Sequence, residues 1–154
     1  MVAAVYEGPP KEMVWRLKFH GARKASHLMA AHMARQVVDA DAYLVPVPTA
    51  TSRVRQRGYD QAKLLARELS RQTGLPYLDC LMRGGQAHQV GASRTQRLQQ
   101  LAKAYRLKKA ALVRGADIIL VDDVITTGAT LEAAAKVLRV AGARHVDAIV
   151  YAQP

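Results

Sequence analysis

Apolar residues recur at helical spacing along residues 12–38: Val14 and Leu17, then Leu28, Met29, Met33 and Val37. That period predicts helix, interrupted near Gly21. Residues 43–47, Tyr-Leu-Val-Pro-Val, form a short apolar run that predicts a buried strand, and Pro46 and Pro48 mark its end. A polar, Arg-rich stretch from Thr49 to Gly58 reads as loop. Ala62, Leu65, Ala66 and Leu69 give residues 59–73 one apolar helical face, closed by Gly74-Leu75-Pro76. Residues 76–82 read as a second strand. Residues 83–96 hold three glycines and no clear period, which reads as a long flexible loop, and residues 97–104 as a short helical stretch. A strongly apolar strand is expected at 117–122, a helix at 130–141 ended by Gly142, and a last strand at 145–151. Strands alternating with helices imply parallel β-α-β units. The expected fold is a single α/β domain over residues 1–154, a mostly parallel central sheet flanked by helices.

Composition narrows the classes. The chain has 154 residues, half of them apolar and 23% charged, as in a folded globular domain. No apolar run approaches the roughly twenty residues of a membrane span. No basic-then-apolar leader is visible at the start of the sequence, and the lack of a disulfide framework leads to the expectation of a cytoplasmic location. The single cysteine, Cys80, allows neither an internal disulfide nor a Cys-x-x-Cys metal pair, and is expected to be a buried thiol. His27 and His32 fall on different helical faces, and none of the histidines has metal-ligand spacing. The net charge is +11. Residues 53–114 hold fourteen Lys/Arg against three Asp/Glu, while the rest of the chain holds nine of each. A basic excess confined to the middle of the chain suits a polyanionic ligand, phosphates or nucleic acid.

The sharpest local feature is residues 116–143: an apolar strand, Asp122 and Asp123, a small hydroxyl-rich turn, then an amphipathic helix. Ligands of open parallel sheets bind outside the carboxyl ends of the strands, which is where the two acids fall. Gly128 lets the backbone approach an anion, and N–H groups at a helix start cradle it. Thr126, Thr127 and Thr130 add hydroxyl donors, with Ala129 between. Carboxylates repel phosphate, so the acids make sense facing a sugar diol, which presents two donors. One ligand carrying a phosphate, a diol and a Mg2+-chelated diphosphate satisfies the whole segment. Neither a G-x-x-x-x-G-K-[ST] nor a G-x-G-x-x-G motif is present.

VDDVITTGATL closely resembles the phosphoribosyl diphosphate (PRPP) signature of type I phosphoribosyltransferases. LVPVPTATSRVRQRGYDQAKLLA resembles the corresponding segment of the late-competence ComF family, as do Leu17-Lys18-Phe19-His20-Gly21 and the spaced Gln89, Arg97 and Ala104-Tyr105. The resemblance implies a phosphoribosyltransferase-type protein that binds PRPP with Mg2+ and transfers phosphoribosyl to a nitrogen acceptor. It implies that Asp122 and Asp123 hold the ribose hydroxyls, and that Thr126, Thr127, Gly128, Ala129 and Thr130 hold the 5′-phosphate. Asp122, Asp123 and Arg57 are the catalytic candidates. Gln89, Arg97 and Tyr105 fall on the acceptor side, under a hood. Many family members carry an N-terminal four-cysteine zinc module. Its cysteines are absent here, so no protein-held metal is expected. Asp60 stands where the family has Asn. Gln100 also stands in place of an Asn, and Ala92 in place of a Leu. Thr126 stands where 6-oxopurine enzymes have an Asp base, which disfavours hypoxanthine or guanine as acceptor.

Among the remaining residues, Arg53 and Arg57 suit the leaving diphosphate, since a guanidinium donates two parallel hydrogen bonds, and Arg55 lies between them. Lys18 reads either as a helix-surface charge or as a phosphate contact. Trp15 and Phe19 share a helical stripe and are expected in core or subunit packing. The fold class also suggests a homodimer. The alternative to an enzyme is a non-catalytic competence accessory protein that binds PRPP-like ligands and single-stranded DNA, with Tyr59 and Tyr105 as the aromatic candidates.

Overall fold

The computed structural model describes residues 1–19, 22–37, 41–84, 104–108 and 112–154, with Ala22 and Arg23 as backbone only. In chain order the described elements are β1 (Val2–Val5), α1 (Gly8–Phe19), α2 (Ala22–Ala34), β2 (Ala42–Pro46), α3 (Thr51–Arg57), α4 (Gln61–Thr73), β3 (Leu81–Arg83), β4 (Tyr105–Leu107), β5 (Asp117–Val124), α5 (Ala129–Val140) and β6 (His145–Gln153). Four strands form a parallel sheet in the order β1-β6-β5-β2, and β3 and β4 form a separate antiparallel pair. In register, Leu44 and Val45 of β2 face Ile119 and Leu120 of β5, and Val121 faces Ile149 of β6.

Successive strand residues point to opposite faces, and β5 shows the consequence. Ile119 and Val121 pack with Leu17, Met29, Leu44 and Leu65 under α1, α2 and α4. Ile118 and Leu120 pack with Val45, Leu81, Tyr105 and Leu138 under α5 and the β3–β4 pair. Burial on both faces is why β5 reads as a continuous apolar run. Each such side chain withdrawn from water contributes roughly 1.5–3 kcal/mol. Cys80 is buried in the second cluster, where burial pushes its thiol up to about 11.

Two expectations need correction, and one strand is added. The stretch read as an Arg-rich loop contains α3, whose seven residues bury no side chain and so give no apolar period. It is held by the Ala50 carbonyl, which accepts from Arg53 N and Val54 N, and it closes on Gly58 at φ +80°. The strand expected at 76–82 does not form as one unit. Leu44 N donates to Pro76 O and Leu78 N to Leu44 O, a single bridge at Tyr77, while 81–83 joins the separate pair. Strand β1 was not anticipated, because Val-Ala-Ala-Val is too short to show a period; it pairs with β6 through Val2 and Val150. The expectations for 85–103, including Gln89, Ala92, Arg97 and Gln100, lie outside the described residues, as does Gly21.

Candidate functional site at the carboxyl ends of the strands

A cavity of about 330 Å³ opens where the parallel strands end. Tyr6 follows β1, Val47 to Ala50 follow β2, and Asp122, Asp123 and Val124 close β5. Thr126 and Thr130 line it from the turn into α5. Lys18 enters from α1, Arg53 from α3, Gln61 from the start of α4 and Arg83 from β3. A larger cleft of about 410 Å³ lies between α1 and α2, walled by apolar groups such as Met13, Trp15 and Leu28. Its charged lining residues, Glu12, Arg16 and Lys24, sit around a mainly apolar wall, and Glu12 and Arg16 pair with each other.

The acids stand one residue apart and therefore on opposite faces of the sheet. Asp122 lies on the α5 side and Asp123 on the α1 side, yet both reach the cavity at the strand end. Each carboxylate accepts from the next amide: Asp123 N donates to Asp122 Oδ1 at 2.9 Å, and Val124 N to Asp123 Oδ1 at 3.0 Å. These bonds fix both side chains against the backbone. Asp123 is buried, and its Oδ2 pairs with Lys18 Nζ at 2.9 Å. Asp122 is held well above the usual carboxylate range, first by burial and then by the neighbouring charge of Asp123.

The turn has the form an anion site requires. Gly128 is the residue before α5, with φ +75°, and no side chain caps the helix there. Thr127 Oγ1 makes only a long contact with Ala129 N, at 3.4 Å. The first amides of a twelve-residue helix thus lie beside the cavity, with Thr126 and Thr130 hydroxyls on its wall. Thr127 is exposed and is not among the lining residues.

The arginines separate. Arg53 lines the cavity. Arg57 does not; its guanidinium sits 5.3 Å from the centre of the Phe19 ring, with Nε and Nη1 buried and without hydrogen-bond partners. Arg55 is exposed. Tyr105 is buried in β4, with Arg83 5.6 Å from its ring centre, and its hydroxyl is unpartnered. Burial raises the Tyr105 hydroxyl, and the Asp122 charge contributes in the same direction. Tyr59 donates its hydroxyl to the Leu17 carbonyl. Tyr105 is too deeply buried to serve as a stacking platform, and Tyr59 is half-buried with its hydroxyl engaged. Trp15 and Phe19, expected in packing, are about half exposed on α1, with rings 6.0 Å apart.

Three lining residues escaped the sequence reading or were left open by it. Gln61 is buried and its Oε1 has no partner, but in sequence it is an ordinary first-turn glutamine after the Asp60 cap. Arg83 ends a three-residue strand that has no period to place it. Lys18 follows the buried Leu17, and only the tertiary fold shows that it turns toward β5.

Residues 21–154 match the phosphoribosyl transferase domain family. Among solved structures, the fold is similar to glutamine PRPP amidotransferase from B. subtilis complexed with ADP and GMP (TM-score 0.61, 21% identity, 84% of this chain and 26% of that one). It is also similar to an allosteric regulatory enzyme of purine biosynthesis (TM-score 0.59, 20% identity, again 84% and 26%). This is a type I phosphoribosyltransferase-like fold, and the chain belongs to the phosphoribosyl transferase domain family.

Sequence relatives place it more finely. It is 34% identical to Competence protein ComFC of Bacillus subtilis over 137 residues, covering 86% of this chain and 55% of that protein. It is 38% identical to Competence protein F of Haemophilus influenzae over 109 residues, covering 68% and 47%. It is 28% identical to DNA utilization protein YhgH of Escherichia coli over 162 residues, covering 96% and 68%. Within the phosphoribosyl transferase domain family it is a member of the ComF family. The chain spans about half the length of the first two relatives. No helix among the described residues is long and apolar enough to cross a membrane.

Proposed function

We propose that the cavity binds PRPP or a closely related phosphorylated sugar, and that the protein transfers phosphoribosyl to a nitrogen acceptor in the context of DNA uptake. The observation that carries this reading is one cavity joining an uncapped helix start, two carboxylates and the cations Lys18, Arg53 and Arg83. The helix amides with Thr126 and Thr130 suit a 5′-phosphate, and Asp122 with Asp123 suit a ribose diol. Arg53 and Arg83 suit a departing diphosphate. Departure of diphosphate leaves positive charge on the sugar, which the adjacent carboxylates offset while the cations take up the negative charge. No covalent nucleophile is needed; the side chains position reactants and exclude water.

Mg2+ fits this site as an ion carried by the ligand. Asp123 is engaged by Lys18, and no cluster of three or more metal-ligating side chains occurs among the described residues. When bound, the ion would neutralise diphosphate oxygens. The link to DNA uptake rests on the names of the relatives, Competence protein ComFC and DNA utilization protein YhgH. The test is diphosphate release from PRPP and Mg2+ with a panel of bases and amines. Release above background with one acceptor supports transfer, and none with any acceptor leaves a binding protein.

A second reading, single-stranded DNA binding, is favoured by one arrangement. Trp15 and Phe19 lie four residues apart with half-exposed rings, and Arg57 continues the row over Phe19. Exposed Arg53 and Arg55 extend it along α3. Aromatic rings beside arginines suit bases and phosphates of a single strand.

A further inference from the structure

The Lys18–Asp123 pair makes the two acids of the cavity unequal. Both partners line the cavity, with side chains 23% and 8% exposed, and they come from elements that have no covalent reason to meet. Lys18 leaves the last turn of α1, and Asp123 ends β5. The neighbouring Tyr59 hydroxyl grips the carbonyl of Leu17, which fixes the end of α1 beside the sheet. The lysine is therefore delivered to the acid by the fold.

We infer that Lys18 is a positioning residue for this site: its ammonium orients the Asp123 carboxylate and offsets its charge, and so lets a pocket with two adjacent acids accept a doubly phosphorylated sugar. The inference rests on the phosphorylated-sugar reading above. Without Lys18 the cavity would present Asp122 and Asp123 against two remaining cations, Arg53 and Arg83. Like charges forced together in a confined site oppose an anionic ligand. Thr126 and Thr130 line the same cavity from the start of α5, and a bare phosphate held there brings no diol to the acids, so it should depend on the pair less than the sugars do.

The charged and titratable groups facing the pair are known for each described element around it. Tyr6 follows β1, Arg53 comes from α3, Arg83 from β3, and Tyr105 of β4 lies near enough to Asp122 to feel its charge. Lys18 Nζ contacts Asp123 directly. Asp122 sits high because of burial and Asp123, and Lys18 acts on it in the opposite direction. Removing the lysine should therefore raise Asp122 further. A ligand that needs both carboxylates as acceptors would then bind only at higher pH.

The experiment compares three probes, inorganic phosphate, ribose 5-phosphate and PRPP with Mg2+, by calorimetric titration across a pH series. The proteins are wild type, Lys18→Met, Lys18→Arg, Asp123→Asn and the Lys18→Met/Asp123→Asn double variant. Expected for Lys18→Met is at least about tenfold weaker binding of both sugars, with an upward shift in the pH at which binding sets in. Inorganic phosphate should lose less, within about twofold, since it brings no diol to the two acids. Lys18→Arg should restore both the affinity and the pH midpoint. The double variant should be no weaker than Asp123→Asn alone, because the lysine acts through that acid; this arm also serves if the buried, unpaired carboxylate of Lys18→Met disturbs folding. Wild-type affinity and pH profile in Lys18→Met, or strictly additive losses in the double variant, would overturn the inference while leaving the ligand reading intact. Failure of wild type itself to bind either sugar would overturn both.

Discussion

Asp60 binds Thr49 twice: its Oδ2 accepts the Thr49 backbone N–H and its Oδ1 the Thr49 hydroxyl, both at 3.1 Å. The same carboxylate caps α4, accepting from Ala62 N and Lys63 N. One side chain thus ends the strand-exit segment after β2 and begins the next helix, with Thr49 on the cavity wall. Asp60→Ala should destabilise the protein by about 1–2 kcal/mol, the usual cost of a lost helix cap. Asp60→Asn should retain most of it, since the amide oxygen can still accept from the helix N–H groups. Urea unfolding midpoints check both. Equal stability of Asp60→Ala and wild type would contradict the arrangement.

Gly128 occupies a left-handed backbone conformation, φ +75°, immediately before α5. A Cβ there would meet Ile125 Cδ1 at 3.6 Å, an ordinary contact, so the penalty is conformational rather than steric crowding. Gly128→Ala should cost about 1–2 kcal/mol. It should also weaken inorganic phosphate binding, because the helix amides would be re-aimed. A variant with unchanged stability and phosphate affinity would show that the turn is not held as described.

Glu68 on α4 receives Arg71 Nη2 at 2.7 Å and Gln72 Nε2 at 2.8 Å, and pairs with His27 of α2 at 2.7 Å. Chiefly the Arg71 hydrogen bond lowers its carboxyl from 4.5 to about 2. A carboxyl depressed by folding stabilises the native state above its unfolded value, and that stability is lost as pH falls toward the folded one. Between pH 4.5 and about 2 wild type should therefore lose stability more steeply than Glu68→Gln. Denaturant midpoints measured across this window provide the check; parallel curves would contradict the pairing.

The aromatic row on α1 gives a separate expectation. Trp15→Ala/Phe19→Ala should weaken binding of a fluorescent single-stranded oligonucleotide roughly tenfold or more, given about 1–3 kcal/mol per stacked base. PRPP binding should be unaffected, since neither ring lines that cavity. Sedimentation of the same samples tests the homodimer: a shift to monomer in the variant with unchanged oligonucleotide binding would assign the row to a second copy instead.

The segment from β5 to α5 could be read from sequence because each of its parts leaves a local trace. An apolar run on both faces marks the buried strand, and a glycine among threonines marks the turn. Helix α3 and strand β1 left no such trace, one because it buries no side chain and the other because it is four residues long. The acids were placed at the strand end, but their inequality was invisible, since Lys18 lies far away in sequence. Asp123 is buried and yet lines the cavity, which gives the strand end a different electrostatic character from two open carboxylates. Arg57 shows the opposite outcome: a motif position that suggested diphosphate is turned onto Phe19.

The central claim, that the strand-end cavity binds a phosphorylated sugar through its acids and its helix start, is tested most directly by titrating PRPP with Mg2+ into wild type and the Asp122→Ala/Asp123→Ala variant. Native-state binding must raise thermal stability, by about 2.7 kcal/mol at a hundredfold excess over Kd. Wild type should show a saturable rise in Tm that the double variant loses while remaining folded. A full rise in the double variant, or none in wild type, would contradict the account.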